Sequence, residues 1–257
     1  MKMKMIVISL CTAILVVGSV PVIAREERNR HYFEVRGEVV WEVPSKESVI
    51  ALTFDDGPDP IYTPMIMDLL NQYNAKATFF AVGSRLAKHP GIGKTIVEHG
   101  HEIANHTFHH PNFKSISKEK IETEIRLTEE TILKATGKHP TLFRSPAGIY
   151  NETIVNTVKK CGYLMIMWSW HQDTRDWSNP GVNKIVNKVL RNARKGDIVL
   201  FHDYRGNQTV KALQVILPEL KKRGYRFVTV SELVQLQKIN PVNKHPASLY
   251  FPFQCHL

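Results

Sequence analysis

Five short clusters of chemically capable side chains recur along the chain: Asp55-Asp56; His106 with His109 and His110; Arg144-Ser145-Pro146; Asp173 with Asp176 and Trp177; and His202-Asp203. Two adjacent carboxylates at a crowded position repel each other unless a cation or an arginine sits between them. Imidazoles four residues apart, as at His106 and His110, would meet at one point on a helical turn, which a metal ion requires; His109 is a rival second ligand. His202 closes the apolar run 198–201, where a buried strand meets solvent and imidazole titration is perturbed. Each cluster also has a plainer reading. Asp-Asp-Gly-Pro makes a good turn, His-His-Pro can cap one, Arg144 can be a surface cation, Asp176-Trp177 a packed corner and His202 a structural histidine.

The elements that must position these residues follow from the patterning. Strands are predicted over 49–54, 77–82, 102–105, 141–143, 163–169, 197–201 and 226–230. Helices are predicted over 63–73, 92–99, 118–136, 152–160, 182–193 and 209–222, with Gly137 as a C-cap signal after the long amphipathic stretch. Strands separated by helices make βα units and a parallel α/β sheet buried on both faces. About seven such units predict a closed or nearly closed barrel. In such a barrel the C-terminal strand ends gather around one mouth, and each of the five clusters follows a predicted strand. Five capable clusters at five strand ends make one site.

The chain has 257 residues, 43% hydrophobic and 23% charged, which excludes collagen-like, coiled-coil and wholly disordered readings. Three cysteines with no CxxC spacing exclude a disulfide framework and a cysteine-based zinc knuckle; Cys161 and Cys255 remain free to pair with each other. Residues 1–24 combine Lys2 and Lys4, an apolar run from Ile6 to Val20 and Ala24 at a cleavage point, the pattern of a secretory signal. Left uncleaved, the 19 residues from Ile6 to Ala24 approach the minimum that spans a bilayer, although Pro21 and the short run favour cleavage. The expected organisation is a leader or anchor over 1–24, a linker or edge segment over 25–46, a catalytic domain over 47–237 and an irregular tail over 238–257. The net charge is +10, two units of it from the leader. Such a surplus suits an acidic cell-wall polymer, an anionic membrane or nucleic acid, or is simply a solvated basic surface. No nucleic-acid reader motif is present, and the export signal points elsewhere.

Taken in order, Thr53-Phe54-Asp55-Asp56-Gly57-Pro58, His106-Thr107-Phe108-His109-His110, Arg144-Ser145-Pro146-Ala147-Gly148, Asp173-Thr174-Arg175-Asp176-Trp177 and Leu200-Phe201-His202 resemble the five motifs of the polysaccharide deacetylases, the NodB-homology enzymes of carbohydrate esterase family 4. The resemblance covers roughly residues 47–236. It implies a distorted (β/α) barrel of about seven parallel strands and hydrolysis of N-acetyl groups on N-acetylated sugars. It also implies that Asp56, His106 and His110 bind a divalent metal, zinc first, with Co2+ or another transition metal as alternatives. Asp55 would be the general base, oriented by Arg144, and His202 the general acid, oriented by Asp176. Leu200 and Trp177 would wall the acetyl pocket, and the Ala147 backbone N–H would help hold the oxyanion. The family usually carries an aromatic residue where this chain has Ala147; the backbone donor survives that change, and the aromatic contact does not. With a leader and a basic surface, the expected substrate is peptidoglycan N-acetylglucosamine first, chitooligosaccharide second and N-acetylmuramic acid third. The expected protein is an extracytoplasmic monomer. The alternative is a catalytically inactive relative that binds wall glycan.

Overall fold

The computed structural model describes residues 29–239. The expected leader, most of the tail, Cys11 and Cys255 lie outside the described residues. The chain begins with α1 (Arg30–Val35), capped by the Asn29 side chain, and β1 (Val39–Val40). It then alternates: β2 (Val49–Asp55), α2 (Tyr62–Gln72), β3 (Ala77–Ala81), α3 (Gly83–Lys88), α4 (Pro90–Glu98), β4 (Glu102–Asn105) and α5 (Lys118–Thr136). The second half continues with β5 (Leu142–Phe143), α6 (Glu152–Lys160), β6 (Leu164–Ile166), α7 (Val182–Asn192), β7 (Ile198–His202), α8 (Asn207–Lys222), β8 (Arg226–Phe227) and α9 (Val230–Ile239).

Seven strands hydrogen-bond in the order β1-β6-β5-β4-β3-β2-β7, all parallel, and β8 pairs with the start of β2. The sheet curls into a half-barrel. Its two ends are joined by sparse bonds rather than a ladder: Val43 N–H to Gly196 O at 2.9 Å, Ser169 N–H to Ile198 O at 3.0 Å, and one bridge between Asp173 and Leu200. The distorted parallel barrel expected from the sequence is therefore present. The segment 25–46 supplies α1 and β1, and it buries Phe33, Val39, Trp41 and Val43. The strand expected over 226–230 stops at Phe227, because the chain turns helical at Val230.

Side chains along the strands alternate between two apolar environments, as a sheet covered on both faces requires. Ile50, Leu52 and Phe54 join Phe79, Phe201 and the inner faces of α2 and α8 in one cluster. Phe54 stacks between Phe79 at 5.0 Å and Phe201 at 5.6 Å. Each such fully buried ring stabilises the fold by roughly 1.5–3 kcal/mol. Val49 and Ala51 point the other way, joining Phe80, Ala104, Leu142, Ile166 and Ile198 inside the barrel, with Val230 and Leu233 of α9. Thr53 and Asp55 share that inward parity on β2, as do Leu200 and His202 on β7. The sheet's alternation thus carries polar side chains inward at the ends of strands whose earlier inward residues are apolar.

Helix ends with local signals fall where the sequence places them. Ser117 Oγ accepts from Lys120 N–H at 3.3 Å at the start of α5, and Gly137, at φ 68°, ends it by donating to Leu133 O at 2.8 Å. The left-handed conformation at Gly137 costs glycine nothing.

Candidate active site

The site grows from the end of β2. Asp55 is the last residue of its ladder, and Asp56 follows in a left-handed conformation at φ 76°, so the two adjacent carboxylates are turned to different partners. The turn beyond them is pinned by Asp59, whose Oδ1 accepts from the N–H groups of Ile61 and Tyr62 at 2.8 and 3.0 Å.

Asp56 faces two imidazoles. Its Oδ1 lies 3.5 Å from His106 Nε2 and 3.2 Å from His110 Nε2. That oxygen is buried and makes no well-formed hydrogen bond. His106 Nδ1–H donates to Arg144 O at 2.8 Å, which leaves Nε2 with its lone pair turned toward Asp56, the tautomer a metal ligand needs. One ligand atom from each of Asp56, His106 and His110 falls within 4.8 Å of the others, and together they could hold a metal ion. Burial works to raise the Asp56 carboxyl, but His106, His110 and His202 outweigh it and hold it well below the usual carboxylate range. Burial and the neighbouring His106 push His110 down, which favours the neutral, ligating imidazole.

The route to this convergence differs from the expected helical turn. Residues 106–110 are irregular, and Thr107 at φ 67° and His110 at φ 56° bend the loop so that the two rings stand 5.0 Å apart. The loop is held by backbone bonds from Gly83 and Ser84, at the start of α3, to Thr107 O and Phe108 O. His109 is drawn away. Glu124, buried on α5, accepts from His109 Nδ1 at 2.9 Å and from the N–H groups of Phe108 and His109.

Arg144 lies across the barrel from Asp56, wholly buried. It donates to Asp55 Oδ1 at 2.7 Å, Thr53 Oγ1 at 2.8 Å, Ile166 O at 3.1 Å and Met167 O at 2.7 Å. Its guanidinium carbon stacks 4.0 Å from the Phe80 ring. One cation therefore ties the ends of β2, β5 and β6 together. It fixes one Asp55 oxygen and leaves Oδ2 turned to the triad, 3.8 Å from His106 Nε2.

His202 stands on the opposite flank. Its Nδ1–H donates to Asp176 Oδ1 at 2.7 Å, while Asp176 Oδ2 accepts from His202 N–H at 2.8 Å and Thr209 Oγ1 at 2.5 Å. Burial works to lower the His202 pKa, but Asp176, with Asp55 and Asp56 behind it, pushes it up to about 9. An imidazole drawn toward its charged form by Asp176 thus sits beside the Asp56, His106 and His110 triad and the buried Asp55 carboxylate.

Comparison with known proteins agrees with this geometry. The sequence profile of the polysaccharide deacetylases matches residues 42–166. A peptidoglycan-N-acetylglucosamine deacetylase of Bacillus cereus is 54% identical over 209 residues, covering 80% of this chain and 97% of that protein. The chain belongs to the polysaccharide deacetylases. A chitooligosaccharide deacetylase of Bradyrhizobium is 36% identical over 198 residues, covering 72% of this chain and 90% of that one. The crystal structure of a peptidoglycan N-acetylglucosamine deacetylase in complex with a hydroxamate-type benzamide superposes with a TM-score of 0.76 at 35% identity, covering 79% of this chain and 95% of that one. The members compared are N-deacetylases, and this chain is accordingly a hydrolase of that class.

The deacetylase places its remaining expected residues around the same mouth. Ala147 is exposed on a tight turn at φ 53°, and it lines a groove with His110. Leu200 is buried inside the barrel next to His202, while Trp177 is 64% exposed and donates its N–H to Asp176 Oδ1 at 3.0 Å.

Three buried acids act as positioning residues, and of these only Asp203 stood in a cluster that the sequence singled out. Asp203 accepts from Thr63 Oγ1 at 2.5 Å and packs directly under Gly57, tying the end of β7 to the Asp-Asp-Gly-Pro turn. Burial pushes its carboxyl up to about 7. Asp197 accepts from His171, Gln172 and Arg194 N–H, anchoring the turns that present Asp176. Glu124 is the third. Buried acids with distant partners can be suspected from a sequence only when their partners are known.

Proposed function

We propose that this deacetylase hydrolyses the N-acetyl group of N-acetylglucosamine residues in peptidoglycan, using a divalent metal, zinc first, held by Asp56, His106 and His110. The observation that carries the reading is the juxtaposition of that triad with Asp55, held by Arg144, on one side and His202, held by Asp176, on the other. The donor set fits such an ion: one unpartnered carboxylate oxygen and two imidazole nitrogens, one with its tautomer fixed by a backbone carbonyl. An ion bound there supplies Lewis acidity, lowering the pKa of water toward about 7 and polarising the acetyl carbonyl.

The protein's own groups do the rest. Asp55, held by Arg144 through Oδ1, offers Oδ2 as the base that takes the proton from the attacking water. The Ala147 backbone N–H is the donor offered to the developing oxyanion; one such donor is worth about 3–4 kcal/mol of transition-state stabilisation. His202, kept charged by Asp176, gives its proton to the departing amine. Leu200 and Trp177 bound the space for the acetyl methyl.

Peptidoglycan comes first because the 54%-identical relative bears that activity in its name, and a basic chain with an export-type leader suits an acidic wall. Chitooligosaccharide is the second substrate, from the 36%-identical relative. The protein acts outside the cytoplasm as a monomer. Ala147 favours a second reading, a wall-binding protein that does not turn over, since no aromatic side chain there holds the sugar. Acetate release from peptidoglycan and from N-acetylglucosamine oligomers, with and without a chelator, tests the proposal. Chelator-sensitive acetate, greater from peptidoglycan, is the expected result; bound metal with no acetate from either substrate overturns it in favour of the binding reading.

A further inference from the structure

A groove of about 360 Å³ opens beside the triad, between the loop 110–114 and the turn 146–149. His110 and Ala147, both already part of the site, form its inner end, and Asn112, Lys114 and Ile149 continue it outward. The groove adjoins the space that a sugar at the triad would occupy, on the side of His110 and Ala147. Ala147 is exposed and contributes only a methyl group, so the groove has room for a substituent on a neighbouring sugar.

The charge of the groove is one-sided. Lys114 is exposed and forms no ion pair among the described residues. The wall segments bring no acid to balance it: no Asp or Glu occurs from Ile103 to Lys118 or from Thr131 to Asn151. Asn112 Oδ1 accepts from Lys114 N–H at 3.0 Å, and Ser115 Oγ donates to Asn112 O at 3.0 Å, so the loop beneath the ammonium is ordered by its own bonds. A neutral N-acetylglucosamine neighbour has nothing to offer an ammonium beyond hydroxyls. A neighbour carrying a carboxylate does, and in peptidoglycan the alternate sugar bears an acidic lactyl ether, free or extended by a peptide that ends in carboxylates.

We infer that this groove seats the sugar adjoining the one being deacetylated, and that Lys114 recognises the carboxylate of that sugar's substituent, with Ala147 leaving the space for it. Lys114 is thus a specificity-determining residue, selecting acidic glycan over neutral oligomer. The inference rests on the peptidoglycan reading above and names the feature of that substrate which the protein reads.

The test is calorimetric binding to the full chain stripped of metal, where no turnover occurs. Three probes are compared: a tetrasaccharide of alternating N-acetylglucosamine and N-acetylmuramic acid with free lactyl groups, the same glycan with peptides attached, and chitotetraose. Lys114→Glu and Lys114→Gln should lower the ratio of acidic-glycan to chitotetraose affinity by about fivefold, the size of one partly exposed ion pair. The effect should fade near 1 M salt, where screening reaches about 3 Å. Ala147→Phe should lower the same ratio by occupying the groove. A loss confined to the free-lactyl glycan places the carboxylate on the ether; a loss confined to the peptide-bearing glycan places it on the peptide. Lys222→Glu, in the last turn of α8 and exposed, changes net charge as Lys114→Glu does and controls for it. The inference is overturned if Lys222→Glu reproduces the effect, if the Lys114 variants leave the ratio unchanged, or if wild-type protein binds neither acidic glycan. Acetate release by the metal-loaded wild type is read separately, so failure of the deacetylase reading and failure of the Lys114 reading give different results.

Discussion

Asp55 and His202 are register partners at the C-terminal ends of the adjacent parallel strands β2 and β7, and Asp203 N–H donates to Asp55 O at 3.2 Å. A parallel ladder therefore sets the spacing between the carboxylate proposed as the base and the imidazole proposed as the acid. Each is then oriented by a separate partner from another part of the chain, Arg144 for Asp55 and Asp176 for His202.

Asp55→Asn and His202→Ala should each lower kcat by about 10²–10⁴-fold, the usual value of a positioned acid or base. Neither residue belongs to the triad, so metal content measured by elemental analysis should stay at the wild-type level. Loss of metal in Asp55→Asn would move Asp55 from base to ligand.

The His202 imidazole should titrate near 9 in metal-free protein, followed by NMR of the ring protons. Because this folded value lies above the ordinary imidazole value of 6.5, the stability from the His202–Asp176 pair is complete below about 6.5 and is lost as pH rises through about 9. Asp176→Asn should move the titration down and remove that alkaline loss. In the metal-loaded enzyme a dication offsets part of the negative field, so the alkaline limb of kcat should fall at or below pH 9. Activity that keeps rising beyond that pH would exclude His202 as the acid.

His110→Ala should abolish stoichiometric metal binding, whereas His109→Ala should retain it, as read by competition against a chromogenic chelator. The two residues are neighbours of the same type, so the contrast tests the geometry rather than the composition. His109→Ala should instead lower the melting temperature slightly, because Glu124 loses a partner.

Removing Arg144 leaves Asp55 buried without its cation. Arg144→Ala should destabilise the fold by about 3–5 kcal/mol in denaturant unfolding. Arg144→Lys should recover little of it, since one ammonium cannot reach the carboxylate, the threonine hydroxyl and two carbonyls at once. An unchanged unfolding midpoint in either variant would refute this account.

A methyl group on Gly57 would lie 1.9 Å from Asp203 Oδ2, inside the space that side chain fills. Gly57→Ala should cost about 3 kcal/mol, the upper part of the ordinary range for point changes, and should lower activity because Asp55 and Asp56 sit on the same turn. Thermal unfolding and acetate release measured on one preparation check both parts.

Much of the fold was legible because its signals are local. The helix over 118–136 carries its own stop in Gly137 and is found with those bounds, as is the helix over 152–160, whose Asn151 side chain caps it. Two short pieces that escaped have no such signals. The helix α3 spans only Gly83–Lys88, and β1 has two residues. Both exist because of what they pack against: Gly83 fits under Phe108, and Val39 lies in a cluster with Trp41, Met165 and Phe143. A two-turn helix has little stability of its own, so periodicity in its residues is too short to read.

The sequence by itself determined the parallel α/β barrel and the five clusters at its mouth, because strand and helix periods and strand-end positions are properties of neighbouring residues. It also determined that Asp55, Asp56, His106, His110, Arg144, Asp176 and His202 were the residues to consider. The resemblance proposed how they divide the work; only the tertiary structure shows which partner each of them meets. Adjacent histidines are equivalent in sequence, and what separates them is Glu124 on α5, which takes His109 and leaves His110 to face Asp56. Adjacent aspartates are separated by a left-handed residue at Asp56 and by an arginine brought from the end of a different strand. Charge and hydrogen-bond partners at these distances come from residues far apart in the chain, and only the curled sheet brings them within reach.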